Sequence, residues 1–88
     1  MKKRLVFQAF KKHVVHEGNI HYYAIDYVND FALTIKSATF GDAVPVEIGT
    51  TCIDNTRQPN RVSITKEEFV AEYKKAIKLL RDVNIVTR

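Results

Sequence analysis

The sequence predicts an α+β fold in which an antiparallel meander of four to five strands packs on one C-terminal amphipathic helix. Two patterns indicate this fold: apolar residues alternate with a period of two upstream, and recur with a helical period from residue 66 onwards. A chain of 88 residues can bury one core but is too short for a deep active-site cleft. We therefore expect a single domain, 1–88, that is not an enzyme.

The helix has the clearest local signals. Thr65-Lys66-Glu67-Glu68 is a capping box, in which the Thr65 hydroxyl accepts from the Glu68 amide and the Glu68 side chain returns to the Thr65 amide. Acidic residues come early in the segment and basic residues late, as the helix dipole favours. These signals predict a helix over 66–83, with an apolar stripe formed by Phe69, Tyr73, Ala76, Ile77, Leu80 and Val83.

Two segments upstream are rich in β-branched and aromatic residues, and we predict strands over 20–28 and 31–40. Asn29-Asp30 between them suits a two-residue turn, because both residues tolerate positive φ. Residues 4–16 fit either a long strand or a short helix. Their Val and Phe content and the turn that follows favour the strand.

The region between the third strand and the helix is irregular in sequence. Val44 to Ile48 predicts a short strand, which Pro45 confines to an edge of the sheet. Residues 54–61 predict a polar loop without periodicity. Residues 62–64 predict a brief strand that leads into the helix.

Two-residue turns at Gly18-Asn19 and Asn29-Asp30 would fix the register of the strands and place His16 opposite His21. One face of the sheet would then be nearly all apolar and pack under the helix: Leu5, Phe7, Ala9, Val15, Tyr22, Ala24, Val28, Phe31, Leu33 and Ile35. Asp26 also falls on this face and needs a donor, for which Lys11 is the candidate. The open face would carry Phe10, Lys12, His16, His21, Tyr23, Tyr27, Thr34 and Lys36. A slip of one residue in either turn would exchange the two faces.

Cysteine usage and the lack of targeting signals predict a cytoplasmic protein. Cys52 is the single cysteine, so the chain cannot form an internal disulfide. Within a short strand, we expect this residue to be a small buried hydrophobe and not a catalytic thiol. The basic N-terminus lacks the apolar run of a signal peptide, and no apolar stretch is long enough to cross a membrane. We therefore expect no membrane partner.

The three histidines, His13, His16 and His21, lie close together around the first predicted hairpin. Two opposed imidazoles could share a metal, but a zinc site needs a third and usually a fourth ligand, and no second ligand pair accompanies them. A pH-sensitive hairpin is another use of the same residues. We expect no metal and no cofactor, with the histidines solvated or hydrogen-bonded.

Basic and aromatic residues give the strongest functional indication. Fourteen Lys and Arg against ten Asp and Glu give a net charge of +4, which favours an acidic partner but also suits solubility alone. The predicted open face combines two cations with two tyrosines, Lys12, Tyr23, Tyr27 and Lys36, and an unneutralised basic stripe follows the helix, Lys74, Lys78 and Arg81. Many single-strand binders stack bases on sheet aromatics flanked by cations, so this pattern predicts that the chain binds single-stranded nucleic acid. The alternative is a protein-interaction or assembly subunit that uses the same face against a partner or a second copy.

The segment Val62-Ser63-Ile64-Thr65-Lys66-Glu67-Glu68-Phe69 joins a short strand to the capped helix after the meander. In this respect it resembles the end of Whirly-type and related single-stranded-DNA-binding domains. The resemblance covers this short region, and no functional residue is carried over from it.

Overall fold

The computed structural model describes residues 6–16, 18–38 and 46–82. The outer ends of the predicted first, third, fourth and last elements (4–5, 39–40, 44–45 and 83) lie outside these residues. The described part contains a five-stranded antiparallel sheet and one C-terminal helix that packs on it. The predicted α+β fold class is therefore confirmed.

The strands and the helix follow one another in the predicted order, with changed boundaries. The elements are β1 (Ala9–His16), β2 (Asn19–Asp26), β3 (Phe31–Ala38), β4 (Val46–Cys52), a 3-10 helix (Ile53–Arg57), β5 (Val62–Ser63) and α1 (Lys66–Asp82). The strand alternative for the first segment is correct, because Ala9–His16 forms β1. The fourth strand is longer than predicted and ends at Cys52, whose side chain is exposed, so the expectation of a buried cysteine was wrong.

The strand order is β4-β3-β2-β1-β5, so β5 pairs with β1 at the edge opposite β4. The first four strands form the predicted meander, but the chain must then cross the whole sheet to reach β5. Residues 53–61, which we call the crossing segment, make this passage over the face opposite α1. The part predicted as a plain polar loop thus forms a second cover for the sheet.

The two faces of the sheet bury two separate clusters. On the side of α1, the buried apolar residues of the described chain are Tyr22, Ala24, Ile35, Phe69 and Ala76. On the opposite side, which we call the outer face, they are Tyr23, Ile25, Ala32 and Ile53. Neighbouring side chains of a strand point to opposite faces, so consecutive residues of β2 contribute alternately to the two clusters. A small domain gains a larger apolar core by covering both faces.

The loop between β2 and β3 is longer than predicted. Asp26 pairs with Phe31, and residues 27–30 form the connection in place of Asn29-Asp30 alone. Asp30 has a φ of 61°, in the left-handed region that Asp tolerates. The pairing differs from the predicted one by two residues, an even number. The faces of β2 and β3 are therefore as predicted, with Tyr22, Ala24, Leu33 and Ile35 toward α1.

The register of β1 against β2 differs by an odd number of residues, which reverses the faces of β1. Tyr22 lies opposite Lys12 instead of Val15, and His21 lies opposite His13 instead of His16. The pairing is irregular between Val14 and His16, and Asn19 belongs to β2 and not to the turn. Three consequences follow that contradict the prediction: Phe10 packs on the α1 side, Ala9 packs on the outer face, and Lys12 points toward α1.

Helix α1 begins directly after the predicted capping residue, Thr65, with one of the two predicted bonds of the capping box: the described contacts include no bond from the Thr65 amide to the Glu68 side chain. The Glu68 amide donates to the Thr65 hydroxyl at 3.0 Å, and the Phe69 amide donates to the Thr65 carbonyl at 3.2 Å. The Glu68 carboxylate accepts from Lys12 Nζ at 3.3 Å, which ties the first turn of the helix to β1. No helix within residues 6–16, 18–38 and 46–82 has the length and apolar character needed to cross a membrane.

Candidate nucleic-acid interface

Tyr23, predicted to stack bases on an open sheet face, is closed off by the crossing segment. Tyr23 is 1% exposed. The Arg61 guanidinium lies over its ring, with the guanidinium carbon 5.8 Å from the ring centroid. The prediction that Tyr23 lies on an open surface was wrong. The reason is the crossing of the sheet by residues 53–61, which no local pattern in the sequence signals.

Arg61 is held over Tyr23 by the crossing segment itself. Its Nε donates to the Asn55 carbonyl at 2.9 Å, and its Nη2 donates to the Asn55 side-chain oxygen at 3.0 Å. Its Nη1 donates to the Pro59 carbonyl at 3.1 Å. The planar guanidinium therefore connects the crossing segment, through these hydrogen bonds, to the sheet, through its contact with the Tyr23 ring.

The other predicted sheet residues do not gather at one site. Tyr27 lies in the β2–β3 loop, is 45% exposed, and its amide donates to the Gln8 side chain at 2.7 Å. Lys12 lies on the α1 side in its ion pair with Glu68. Lys36 lies on the outer face, with its Nζ 3.6 Å from a carboxylate oxygen of Glu47. The sheet half of the predicted site is therefore dispersed over three surfaces.

The helix half of the predicted site is brought together. Lys74, Lys78 and Arg81 are all exposed, at positions i, i+4 and i+7 of α1, and so share one side of the helix. Within the described residues, no carboxylate lies in ion-pair contact with any of the three. Lys75 on another side of the same helix differs, because its Nζ lies 3.1 Å from Glu72.

An exposed aromatic ring accompanies the three cations. Tyr73 is 36% exposed and Ile77 is 39% exposed, and both line a shallow depression of about 320 Å³ together with Lys74, Lys78 and Arg81. The sequence predicted these two residues to belong to the buried stripe. Among the five members of that stripe that the structure describes, only Phe69 and Ala76 are buried, because the apolar positions cover a wider arc of the helix than the sheet can contact.

Tyr73 also borders an apolar groove between α1 and the sheet. The groove has a volume of about 300 Å³ and is lined by Phe7, Phe10, Leu33, Lys66, Phe69, Val70 and Tyr73. The tyrosine thus separates an aromatic surface from a basic one. The width of the apolar stripe was the sequence signal that could have identified it as an exposed ring.

The histidines form a further polar group, on the outer face. The rings of His13 and His21 are perpendicular, with centroids 6.0 Å apart. Partial burial is the main cause that lowers the pKa of both, and the positive charge of Arg61 adds to it in each case. Lys36 lowers the pKa of His21 further. Among the described residues, no group of three His, Cys, Asp or Glu is arranged to hold a metal ion.

No protein-family model matches this chain, and comparisons with curated proteins and with solved structures also give no match. The resemblance of residues 62–69 to Whirly-type domains therefore gains no support from these comparisons.

Proposed function

We propose that this chain is a non-catalytic module that binds single-stranded nucleic acid through the outward side of α1. The observation that carries the proposal is the row Lys74, Lys78 and Arg81, free of ion-pair contact within the described residues and lying beside the exposed ring of Tyr73. We call these four residues the helix surface.

The spacing of the cations suits a polyanion. Four and seven residues along a helix correspond to about 6 Å and about 10.5 Å of rise, so the three side chains can meet more than one phosphate. Each phosphate contact releases counterions from the nucleic acid. Lys75 is less suited to this role on α1, because its Nζ already lies 3.1 Å from Glu72.

Tyr73 favours single strands over duplexes. Its ring is accessible at the edge of the depression, and stacking of an unpaired base on an aromatic side chain contributes about 1–3 kcal/mol. A base inside a duplex offers no free face for this contact. The cations of the helix surface can therefore attract the phosphates of any nucleic acid, whereas Tyr73 can stack only on unpaired bases.

Fluorescence anisotropy with a labelled oligonucleotide of about 16 nucleotides tests the proposal. We expect log Kd to rise with log salt with a slope of about 2, because each of three phosphate contacts contributes about 0.7. Replacing Lys74, Lys78 and Arg81 together by Gln should abolish most of the binding and of the salt dependence. Tyr73→Ala should weaken single-strand binding by about tenfold and leave duplex binding nearly unchanged.

The control variant is Lys75→Gln, which removes the same charge from the same helix on another side. It should bind the oligonucleotide almost as well as the unchanged chain. Lys74, Lys78 and Arg81 should each lose more affinity than Lys75 when replaced singly by Gln. If all four variants lose the same affinity, binding depends on net charge alone, and the assignment of the helix surface is wrong. Absence of binding at low salt would overturn the function itself.

A second candidate function is self-association through the apolar edge of α1. Tyr73, Ile77 and Leu80 are 36–44% exposed and lie on one side of the helix at positions i, i+4 and i+7, and a contiguous exposed apolar patch marks a protein interface. If this edge joins two copies, light scattering will give twice the chain mass, and Ile77→Asp will restore the monomer. Val28→Asp is the control, because Val28 is 82% exposed in the β2–β3 loop, away from α1. A monomer at high concentration contradicts this candidate.

A further inference from the structure

All three histidines of the chain share one end of the β1–β2 hairpin. His13 lies directly opposite His21, and His16 lies opposite Asn19. Directly opposed residues project from the same face, and so do residues two apart on one strand. Because His21 shares its face with the outer-face residue Tyr23, His13 and His21 lie on the outer face.

Cations surround this pair of rings. Lys36 of β3 is paired with His21 in the sheet and projects beside it on the same face. The Arg61 guanidinium lies over the ring of Tyr23, the next residue after His21 on the outer face of β2. Its positive charge lowers the pKa of both histidines. Three of the five N–H donors of Arg61 are used within the crossing segment, and within the described part of the chain the other two have no acceptor.

Within the part of the chain that the structure describes, the carboxylate beside these cations is that of Glu47. Glu47 of β4 is the pairing partner of Lys36 and lies on the far side of Lys36 from His21. Its carboxylate is 3.6 Å from Lys36 Nζ, and both side chains are exposed, at 71% and 48%, so this ion pair is solvated and weak. Lys11 shares the outer face, but its Nζ donates to the Thr56 carbonyl at 3.2 Å, and so it already has a partner. The histidine end of the outer face therefore has an excess of hydrogen-bond donors and of potential positive charge.

We propose that His13, His21, Lys36 and Arg61 form a binding site for a phosphate group of an anionic ligand. Imidazolium, ammonium and guanidinium groups all donate charge-assisted hydrogen bonds to phosphate oxygens. The site lies on the face opposite α1 and is separate from the helix surface. It therefore does not depend on the function proposed for that surface.

The same cations make a metal a poor occupant. Two imidazoles at this separation could bind a transition metal with water completing the coordination. However, Lys36 and Arg61 would repel a divalent cation at the position where they would attract a dianion. The charge around the histidines thus selects for an anion.

The affinity of the site should increase as the pH falls. Burial and the neighbouring cations lower the pKa of His13 and His21, so both are mainly neutral at physiological pH. A bound phosphate favours the imidazolium form, because opposite charges attract, and its binding therefore takes up protons. Among the described residues, the other charged or titratable groups that face the rings are His16 and Lys11 of β1, Lys36 of β3, Glu47 of β4 and Arg61 of the crossing segment.

Proton NMR of the histidine ring signals, with and without inorganic pyrophosphate at constant ionic strength, tests the site. We expect pyrophosphate to raise the pKa of His13 and His21 by about half a unit or more, and to bind up to about tenfold more tightly at pH 6 than at pH 8. The double variant His13→Gln/His21→Gln should lose this increase and keep only the pH dependence that comes from the protonation of pyrophosphate itself. Unchanged histidine pKa values in the presence of pyrophosphate would overturn the proposal.

Lys36→Gln and Lys75→Gln are the matched pair for this site, because each removes a lysine that lies beside a glutamate. Only Lys36→Gln should weaken pyrophosphate binding, by about fivefold or more. Equal effects in the two variants would show attraction to net charge alone and contradict the site. Circular dichroism confirms that the variants remain folded.

Two further measurements separate the source of the phosphate and the two surfaces. A single-stranded oligonucleotide that raises the same histidine pKa values identifies a nucleic-acid backbone as a ligand. An effect of pyrophosphate alone identifies a small phosphorylated molecule. The triple Gln variant of Lys74, Lys78 and Arg81 should keep its pyrophosphate site, so the failure of one proposal does not imply the failure of the other.

Discussion

Asp26 shows how a single buried carboxylate fixes the length of a loop. The residue is 1% exposed, and its side chain accepts from the amides of Val28 and Asn29 at 3.0 Å each and from the Asn29 side chain at 2.7 Å. The sequence indicated that this carboxylate needed a donor, and the candidate was Lys11. The donors are instead local, and Lys11 bonds to Thr56. A side chain that hydrogen-bonds two and three residues ahead replaces the tight turn by a longer one.

Asp26→Ala should lower the free energy of unfolding by about 2–3 kcal/mol, because it removes three hydrogen bonds to a charged acceptor that is itself buried. Asp54→Ala is the control, since its carboxylate is exposed and lies 3.6 Å from Arg57; it should cost less than about 0.5 kcal/mol. Urea denaturation followed by circular dichroism measures both. A loss in Asp26→Ala no larger than in the control would contradict this role.

At the scale of elements, local signals predicted α1 well and the sheet only in part. Thr65 caps the helix through contacts within one turn, so the sequence around it contains the whole cause. The register of β1 depends on one turn and one irregular pairing, and an odd error there exchanged its faces. The crossing segment lacks periodicity, and its position over Tyr23 depends on contacts between residues far apart in the chain. The cations of the candidate site were predictable because they follow helical spacing, whereas the exposure of Tyr73 depends on how much of α1 the sheet can cover.

The crossing segment should be sensitive to Arg61. Arg61→Gln removes the stacking on Tyr23 and the bonds to Asn55 and Pro59, and we expect a loss of about 1–2 kcal/mol in stability. It should also raise the pKa of His13 and His21, because a positive charge that lowers both is lost. Arg57→Gln, whose side chain is exposed and lies 3.6 Å from Asp54, should change neither quantity appreciably. Denaturation measures the stability of both variants, and NMR titration measures their histidine pKa values. Equal results for Arg61→Gln and Arg57→Gln would contradict the role given to Arg61.

At the scale of the whole molecule, the two proposed sites lie on opposite sides of one sheet. The helix surface belongs to α1, which covers one face. The histidine site belongs to the part of the outer face beside the crossing segment. A net charge of +4 adds a general attraction for anions that speeds encounter and weakens with salt. Net charge alone cannot favour one surface over the other. The position at which a ligand binds therefore distinguishes the proposed sites from general attraction by net charge.

Mapping of backbone amide chemical shifts during titration with a single-stranded oligonucleotide tests the central claim most directly. The account predicts that the largest changes fall on α1 between Tyr73 and Arg81, and that they diminish as salt is added. Changes spread evenly over the lysines and arginines of the chain, or confined to the β2–β3 loop around Tyr27, would contradict it.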